Sequence, residues 1–462
     1  MTNYTKTLAE FAAKLKYEDI PAKAVEMVKL ITLHTIGVSI AGSGTSTTTG
    51  ARLPAERKGG AAQATVWGGS GKIPADEAAY VNGVAADALD WEDCTWTGHA
   101  SAGAIPAGFA VSEMENSTGK AYIEAIVAAY EVYQRVAMSV QPELQAQVAN
   151  TGKGRGWGLV NYNIFAAGVA AAKLKGFDPA MMAKNISVDA YMVPMCIAKT
   201  GGTDLYHCGH GAVAKSAVAN LDIAQATEHF EDGLDGPNAY WRQISDQVDW
   251  DWMLKGLGED WLICETLLKH WPANIWLQGP LECLDLIYKK HPFTPADVEH
   301  IHICPKIDIV NNPKPRPYSL LNAQYSIPHC FAAYLEQPEP SASWFRKETL
   351  NADSPFGWIN PLIQVDGEDI NRYVAFRVFM ERTFPPTRVD ITLKDGTVLT
   401  EELRHPKGHP RNQFSLKEER DFFIRITSDF IGRDKAEAFA DAICDLENCP
   451  SMAELGKYLT AK

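Results

Sequence analysis

Asn163-Ile164-Phe165-Ala166-Ala167-Gly168-Val169-Ala170-Ala171-Ala172-Lys173-Leu174 is the stretch on which the fold turns. Read as a helix, it is apolar on nearly every face. Such a helix belongs in the middle of a bundle, and its alanines let neighbouring helices come close. Working outward, the same grammar recurs at Tyr4 to Leu15, Ala22 to Ala41, Pro74 to about Leu89, Ala104 to Glu115, Lys120 to Ser139, Pro179 to Ala198 and Ala212 to Ala226. These segments predict an all-helical domain over residues 1–265. Between Gly44 and Pro74 the Gly/Thr/Ser-rich composition predicts a loop, interrupted by a short strand at Ala64-Thr65-Val66-Trp67.

After about residue 265 the period changes. Val298-Glu299-His300-Ile301-His302-Ile303 alternates with period two, and Arg388-Val389-Asp390-Ile391-Thr392-Leu393 leads through Lys394-Asp395-Gly396-Thr397 into Val398-Leu399-Thr400. The central Asp-Gly is a strong hairpin signal. Helical segments at Trp276 to Lys289 and Leu321 to Leu335 accompany these strands, so residues 266–412 read as a smaller α+β domain. From Ser415 the chain is helical again, at Lys417 to Ile431, Lys435 to Leu446 and Ser451 to Leu459. The fold class is therefore mainly α, a large helical domain plus a smaller α+β one.

The composition bounds the function. The 462 residues are 46% apolar and 22% charged, and 43 Lys+Arg against 57 Asp+Glu give a net charge of −14. That length holds two or three domains and a closed active site. The acidic balance argues against nucleic acid or an anionic membrane as a partner, since both need a basic surface. No window reads as a membrane span or a signal peptide. Nine scattered cysteines with no C-x-x-C pair disfavour a disulfide framework or structural zinc, which makes the cytoplasm the expected compartment.

Five clusters can carry chemistry. The densest is Ala88-Leu89-Asp90-Trp91-Glu92-Asp93-Cys94-Thr95-Trp96-Thr97-Gly98-His99, in which Asp90 is expected to orient His99 as a general base. Thr151-Gly152-Lys153-Gly154-Arg155-Gly156-Trp157-Gly158 precedes a helix and suits an anion, yet it lacks the P-loop pattern and follows no strand. Tyr206-His207-Cys208-Gly209-His210-Gly211 tempts a metal reading but has no matching ligand pair elsewhere. Lys269-His270-Trp271-Pro272-Ala273-Asn274 falls at the change of grammar, where a cleft is expected. In Gln324-Tyr325-Ser326-Ile327-Pro328-His329-Cys330, His329 sits in an apolar helical stretch.

Taken in order, these motifs resemble the MmgE/PrpD family, which includes 2-methylcitrate dehydratase, cis-aconitate decarboxylase and iminodisuccinate epimerase. The resemblance rests on Leu89-Asp90-x-x-Asp93 with His99 downstream, Gly156-Trp157 before the alanine-rich helix, and Lys269-x-Trp271-Pro272. It continues in Ala323-Gln324-Tyr325-Ser326-Ile327-Pro328 and in Pro406-Lys407-Gly408-His409-Pro410. It implies C-terminal helices (413–462) returning to the helical domain, a homodimer, no metal and no organic cofactor. It also implies an active site between the domains that contains Asp90, His99 and Lys269. Departures stand at Cys94 in place of Thr, Gly158 in place of His, Tyr206 in place of Lys, Asn274 in place of His and His329 in place of Tyr.

The shared first step is handling a proton on carbon next to a carboxylate, so the expected partner is a small di- or tricarboxylate. His99 supported by Asp90 is the expected base, and Lys269 with Lys153 and Arg155 the expected carboxylate holders. His329 or Tyr206 would be a second proton-transfer group, with Cys94 and Asn274 lining the site. Elimination by a dehydratase-type lyase leads this reading, epimerisation follows, and a non-catalytic polycarboxylate binder comes third. With a charge of −14, Lys153, Arg155 and Lys269 must converge on one cleft if such a substrate is to bind.

Overall fold

In a computed structural model, residues 2–95, 97–151, 159–194, 203–307, 319–346, 348–350, 362–365, 369–370 and 386–462 are described. The first half is a helical bundle of α1 (Tyr4–Lys14), α2 (Ala22–Gly42), α3 (Ser46–Lys58), α4 (Ala75–Asp87), α5 (Ser101–Met114), α6 (Gly119–Thr151), α7 (Asn163–Leu174), α8 (Pro179–Tyr191), α9 (Cys208–Ala226) and the short α10 (Trp250–Leu254). The helices that are apolar all round lie where that pattern demands. Every residue of α7 but Lys173 is buried, and α7 packs against α5, α6, α8 and α9. Helix α2 alone among the described residues has the length and apolarity of a membrane span, and 94% of that window is buried inside the protein.

One crossing places the functional groups. A Cβ on Gly83 of α4 would stand 2.8 Å from Gly211 Cα, and one on Gly211 of α9 would stand 2.5 Å from the Tyr80 carbonyl oxygen. Only glycine allows this backbone contact. It brings the last residue of α4, Asp87, against the first turn of α9.

The second part wraps a mixed sheet around α11 (Gln278–Lys290), with α12 (Leu320–Gln324) and α13 (Ile327–Glu336) beside it. The strand order is 398–403, 387–393, 298–304 and 363–365, the last pair parallel and the others antiparallel. Leu399 lies opposite Ile391 across the hairpin, whose turn is made by Gly396 at φ 87°. A second apolar cluster, with Trp271, Trp344, Tyr334, Ile301 and Ile391, fills this part. The final helices, Leu416–Ile431 and Arg433–Cys444, place Phe423, Ile424, Phe439 and Ile443 in the bundle's core, while Ile426 belongs to the second cluster.

Five sequence expectations need correction. Residues 44–74 hold α3 as well as strands, because Thr45 caps the helix by accepting from the Thr48 amide while only Thr48, Ala51 and Ala55 are buried, too few to show a period. The segment from Leu321 to Leu335 is two helices, since Ser326 caps a new one whose first turn holds Pro328. Helix α8 ends at Tyr191, and the stretch Ser451 to Leu459 forms two 3-10 turns rather than a helix. Helix α9 begins at Cys208, four residues earlier than expected, which puts His210 inside it.

Candidate active site

The loop between α4 and α5 is held on every side before any ligand is considered. Asp93 and Cys94 pair antiparallel with Leu268 and Leu267, which delivers the next residue, Lys269, directly against the loop. The Trp91 carbonyl accepts from His34 at 2.7 Å, and the other ring nitrogen of His34 meets Glu419 Oε1 at 2.9 Å. With an acceptor at both nitrogens, His34 is doubly protonated and ties the loop to α2 and the C-terminal helix. Gln324 donates to the Ala88 carbonyl at 3.0 Å, and the Trp91 indole donates to the His270 carbonyl at 3.0 Å.

At the centre is a chain of buried charges. Lys269 Nζ donates to the Asp90 carbonyl (2.9 Å), to Asp90 Oδ1 and to Glu92 Oε1 (2.8 Å). Glu92 Oε1 is also 2.7 Å from His99 Nδ1, which lies 2.9 Å from the Asp93 carbonyl. Asp93 in turn accepts from the Tyr130 hydroxyl (2.7 Å) and the Ser101 amide (3.1 Å). Asp90 has φ 49°, in the left-handed region that a non-glycine residue enters at a cost and that clusters at functional sites.

This geometry changes two expected roles. The carboxylate that orients His99 is Glu92; Asp90 belongs to Lys269. An ammonium has three donors, and all three of Lys269 are taken by Asp90 and Glu92, so this fully buried lysine anchors the loop instead of reaching a substrate carboxylate.

Protonation follows from the surroundings. Burial works against a charged His99, but the facing Glu92 carboxylate outweighs it and the pKa rises to about 9. Burial raises Asp90 to about 6, with Lys269 opposing the rise and Glu92 adding to it. His99 is thus an imidazolium at neutral pH and Asp90 a carboxylate near its titration point.

A second cluster adjoins the first. His207 Nδ1 meets Asp87 Oδ2 at 2.9 Å, and His210 Nε2 stands 3.8 Å from Asp87 Oδ1. The rings of His210 and His99 are perpendicular with centroids 5.9 Å apart. Asn163 Nδ2 is 2.5 Å from the His99 carbonyl and 2.7 Å from His210 Nδ1. Six buried polar atoms here have no hydrogen-bond partner: Asp87 Oδ1, Asp90 Oδ2, Glu92 Oε2, Asn163 Oδ1, His207 Nε2 and His210 Nε2. Such atoms are a minority of buried polar groups and are scattered elsewhere in the described residues, so their concentration here is what marks a place suited to a polar ligand.

Of the residues singled out in the sequence, Asp90 and Lys269 meet directly, His99 joins them through Glu92, and Cys94 pairs with Leu267 beside them. Burial first, and then the fields of Tyr325, Asp87, Asp90 and Glu92, push the Tyr206 phenol well above its ordinary value, which places Tyr206 alongside. Asn274 caps the Trp276 amide at 3.2 Å and hydrogen-bonds the Tyr325 phenol. His329 is bound instead to the Trp344 carbonyl at 2.9 Å and stacked on Phe345. Lys153, Arg155 and Gly158 lie outside the described residues. The sequence alone does not mark Asp87, Glu92, Asn163, His207 and His210 as working groups; the two histidines stand out there only in a metal-like motif without matching ligands. Among the described residues no three His, Cys, Asp or Glu side chains are grouped to hold a metal ion.

Comparison with known proteins extends over both parts. Residues 6–252 match the family model described as MmgE/PrpD N-terminal domain, and residues 271–448 match that of the MmgE/PrpD C-terminal domain. A cis-aconitate decarboxylase of Mus musculus is 24% identical, over 99% of this chain and 94% of that protein. A cis-aconitate decarboxylase of Aspergillus terreus is 22% identical, over 87% of this chain and 85% of its own length.

Proposed function

The chain belongs to the MmgE/PrpD family, and from that premise we propose that it is a lyase acting on a small di- or tricarboxylate, taking a proton from the carbon next to a carboxylate. The observation that carries this reading is the buried chain Asp90–Lys269–Glu92–His99, in which a near-neutral carboxylate and an imidazolium share one anchored loop. Two groups whose surroundings drive their pKa values apart are an acid–base pair. Asp90, with Oδ2 unpartnered, is the base; His99, held protonated by Glu92, is the acid that returns a proton to the leaving group or to carbon.

The charge that develops on the substrate needs a fixed cation nearby, and the base alone contributes only about 10²–10⁴-fold. His99 supplies that charge from within the constellation. Lys269 serves by keeping Asp90 and Glu92 in place. The two relatives named as cis-aconitate decarboxylases support lyase chemistry on a polycarboxylate, though the swaps at positions 94, 206, 274 and 329 point to a different member of that substrate class.

Incubation with di-, tri- and amino-dicarboxylates in D₂O, followed by proton NMR, tests the reading. New alkene signals, or loss of carbon dioxide, are expected. Exchange of the α-proton with the skeleton intact makes the protein an epimerase, and no change across the panel makes it a binder. Undiminished turnover by both Asp90→Asn and His99→Gln would remove the proposed acid–base pair.

A further inference from the structure

The gap between α4 and the first turn of α9 has a chemistry that selects its occupant. Asp87 Oδ1 and His210 Nε2 face each other across 3.8 Å, beyond hydrogen-bond length, and both are buried without a partner. Each is of known character. Asn163 Nδ2 lies within reach of the His99 carbonyl oxygen, so the amide nitrogen, not its oxygen, must be there, and it donates. The same nitrogen then donates to His210 Nδ1, which leaves that ring nitrogen as an acceptor and places the single proton on Nε2. His210 is therefore a neutral donor. Burial, which lowers its pKa to about 4, acts in the same direction. Asp87 is an acceptor: its other oxygen takes the His207 Nδ1 proton at 2.9 Å, and the adjacent histidines hold the carboxyl well below its usual range despite burial.

An atom that satisfies both must accept from His210 and donate to Asp87, seated beside the line that joins them. A carboxylate has no proton to give and is repelled by Asp87. A carbonyl likewise has none, and an ammonium cannot accept. A hydroxyl does both.

We propose that Asp87 and His210 recognise a hydroxyl group on the substrate, with Asn163 and His207 as the positioning residues that fix their hydrogen-bonding roles. This rests on the polycarboxylate reading and narrows it to hydroxy acids, so the group that leaves in the reaction is seated against α9. Asp87 reads it as an anionic acceptor and His210 as a neutral donor, so no cation is needed, which suits a site whose Lys269 is already spent on carboxylates.

The test uses two matched pairs of probes, citrate with propane-1,2,3-tricarboxylate and malate with succinate, titrated calorimetrically into the full-length protein. The hydroxylated member of at least one pair is expected to bind about 10- to 100-fold more tightly, as loss of a buried hydrogen-bonding partner predicts. His210→Asn and Asn163→Asp, each checked for folding by circular dichroism, are expected to abolish that discrimination. Two variants at different positions keep a folding failure of one from deciding the matter. In nitrogen-detected NMR, the Nε2–H tautomer of His210 is expected in the wild type. Equal affinities within both pairs, as would follow if the gap holds only water, or discrimination that survives both variants, would overturn the hydroxyl assignment alone. Binding of none of the four probes would bring down the polycarboxylate reading and this inference together.

Discussion

His99 and His210 sit with their rings 5.9 Å apart, yet one is held charged and the other neutral. Burial penalises the charged form of both. What differs is the partner of Nδ1. In His99 that nitrogen faces a carboxylate, Glu92, at 2.7 Å; in His210 it faces the amide nitrogen of Asn163 at 2.7 Å. A carboxylate there demands a proton and an amide donor forbids one, and the charge so fixed on His99 adds to burial in keeping His210 neutral. The loop after α4 is thus the charged wall of the site and the first turn of α9 its neutral wall.

The largest effect is expected where the charged wall is anchored. Lys269→Met leaves Asp90 and Glu92 buried without their cation, which costs roughly 3–5 kcal/mol when one partner of a buried ion pair is removed. Urea unfolding should show a loss of that size, and turnover should vanish even at temperatures where the variant remains folded. If stability is unchanged, Lys269 does not hold the loop and is free to serve the substrate after all. Next comes the contrast itself. With Asp90 near 6 and His99 near 9, kcat/KM should rise with pH as Asp90 ionises and fall as His99 loses its proton, giving a bell with limbs near those values. Glu92→Gln removes the field that raises His99. The alkaline limb should then move down by about 1–2 pH units. An unmoved limb would show that some other group sets it. On the neutral wall, Asn163→Asp puts a carboxylate at His210 Nδ1, which draws the single ring proton to that nitrogen and should raise that histidine's pKa by about 1–3 units, read by NMR titration.

How much of this could be read from the sequence differs between the two walls for physical reasons. The helical part was legible at α7 and α2 because a helix buried on all sides is written in its own residues. α3 was not, because its few buried positions carry no period. Asp90 and His99 stand out as chemical because a dense cluster of polar residues after a helix is a local signal, and Lys269 because it falls where the period changes. The pairing of His99 with Glu92 was not legible, because Asp90 and Glu92 are equivalent as spacing and are separated only by a left-handed turn at Asp90 and by the strand pair that delivers Lys269. Of the neutral wall, the sequence shows His207 and His210 as polar residues entering a helix, but not what they face. Its groups come from α4, α7 and α9, and what joins them is the Gly83–Gly211 contact, which is invisible until the helices cross.

The smallest effect is expected at His329, where sequence and structure part most plainly. Its Nε2 meets the Trp344 carbonyl and its ring lies on Phe345, and burial lowers its pKa to about 4, which keeps it neutral through the working range. A neutral ring with Nε2–H committed to a carbonyl has no proton to lend from that nitrogen. His329→Phe should therefore cost about 1–2 kcal/mol, the penalty of a buried carbonyl left unpaired, while both limbs of the pH profile stay in place. The contrast with Glu92→Gln is what makes the measurement useful: that substitution should move a limb and this one should not. A shift of either limb in His329→Phe would return His329 to the proton-transfer machinery and would mean that the two walls around His99 and His210 are not the whole of the site.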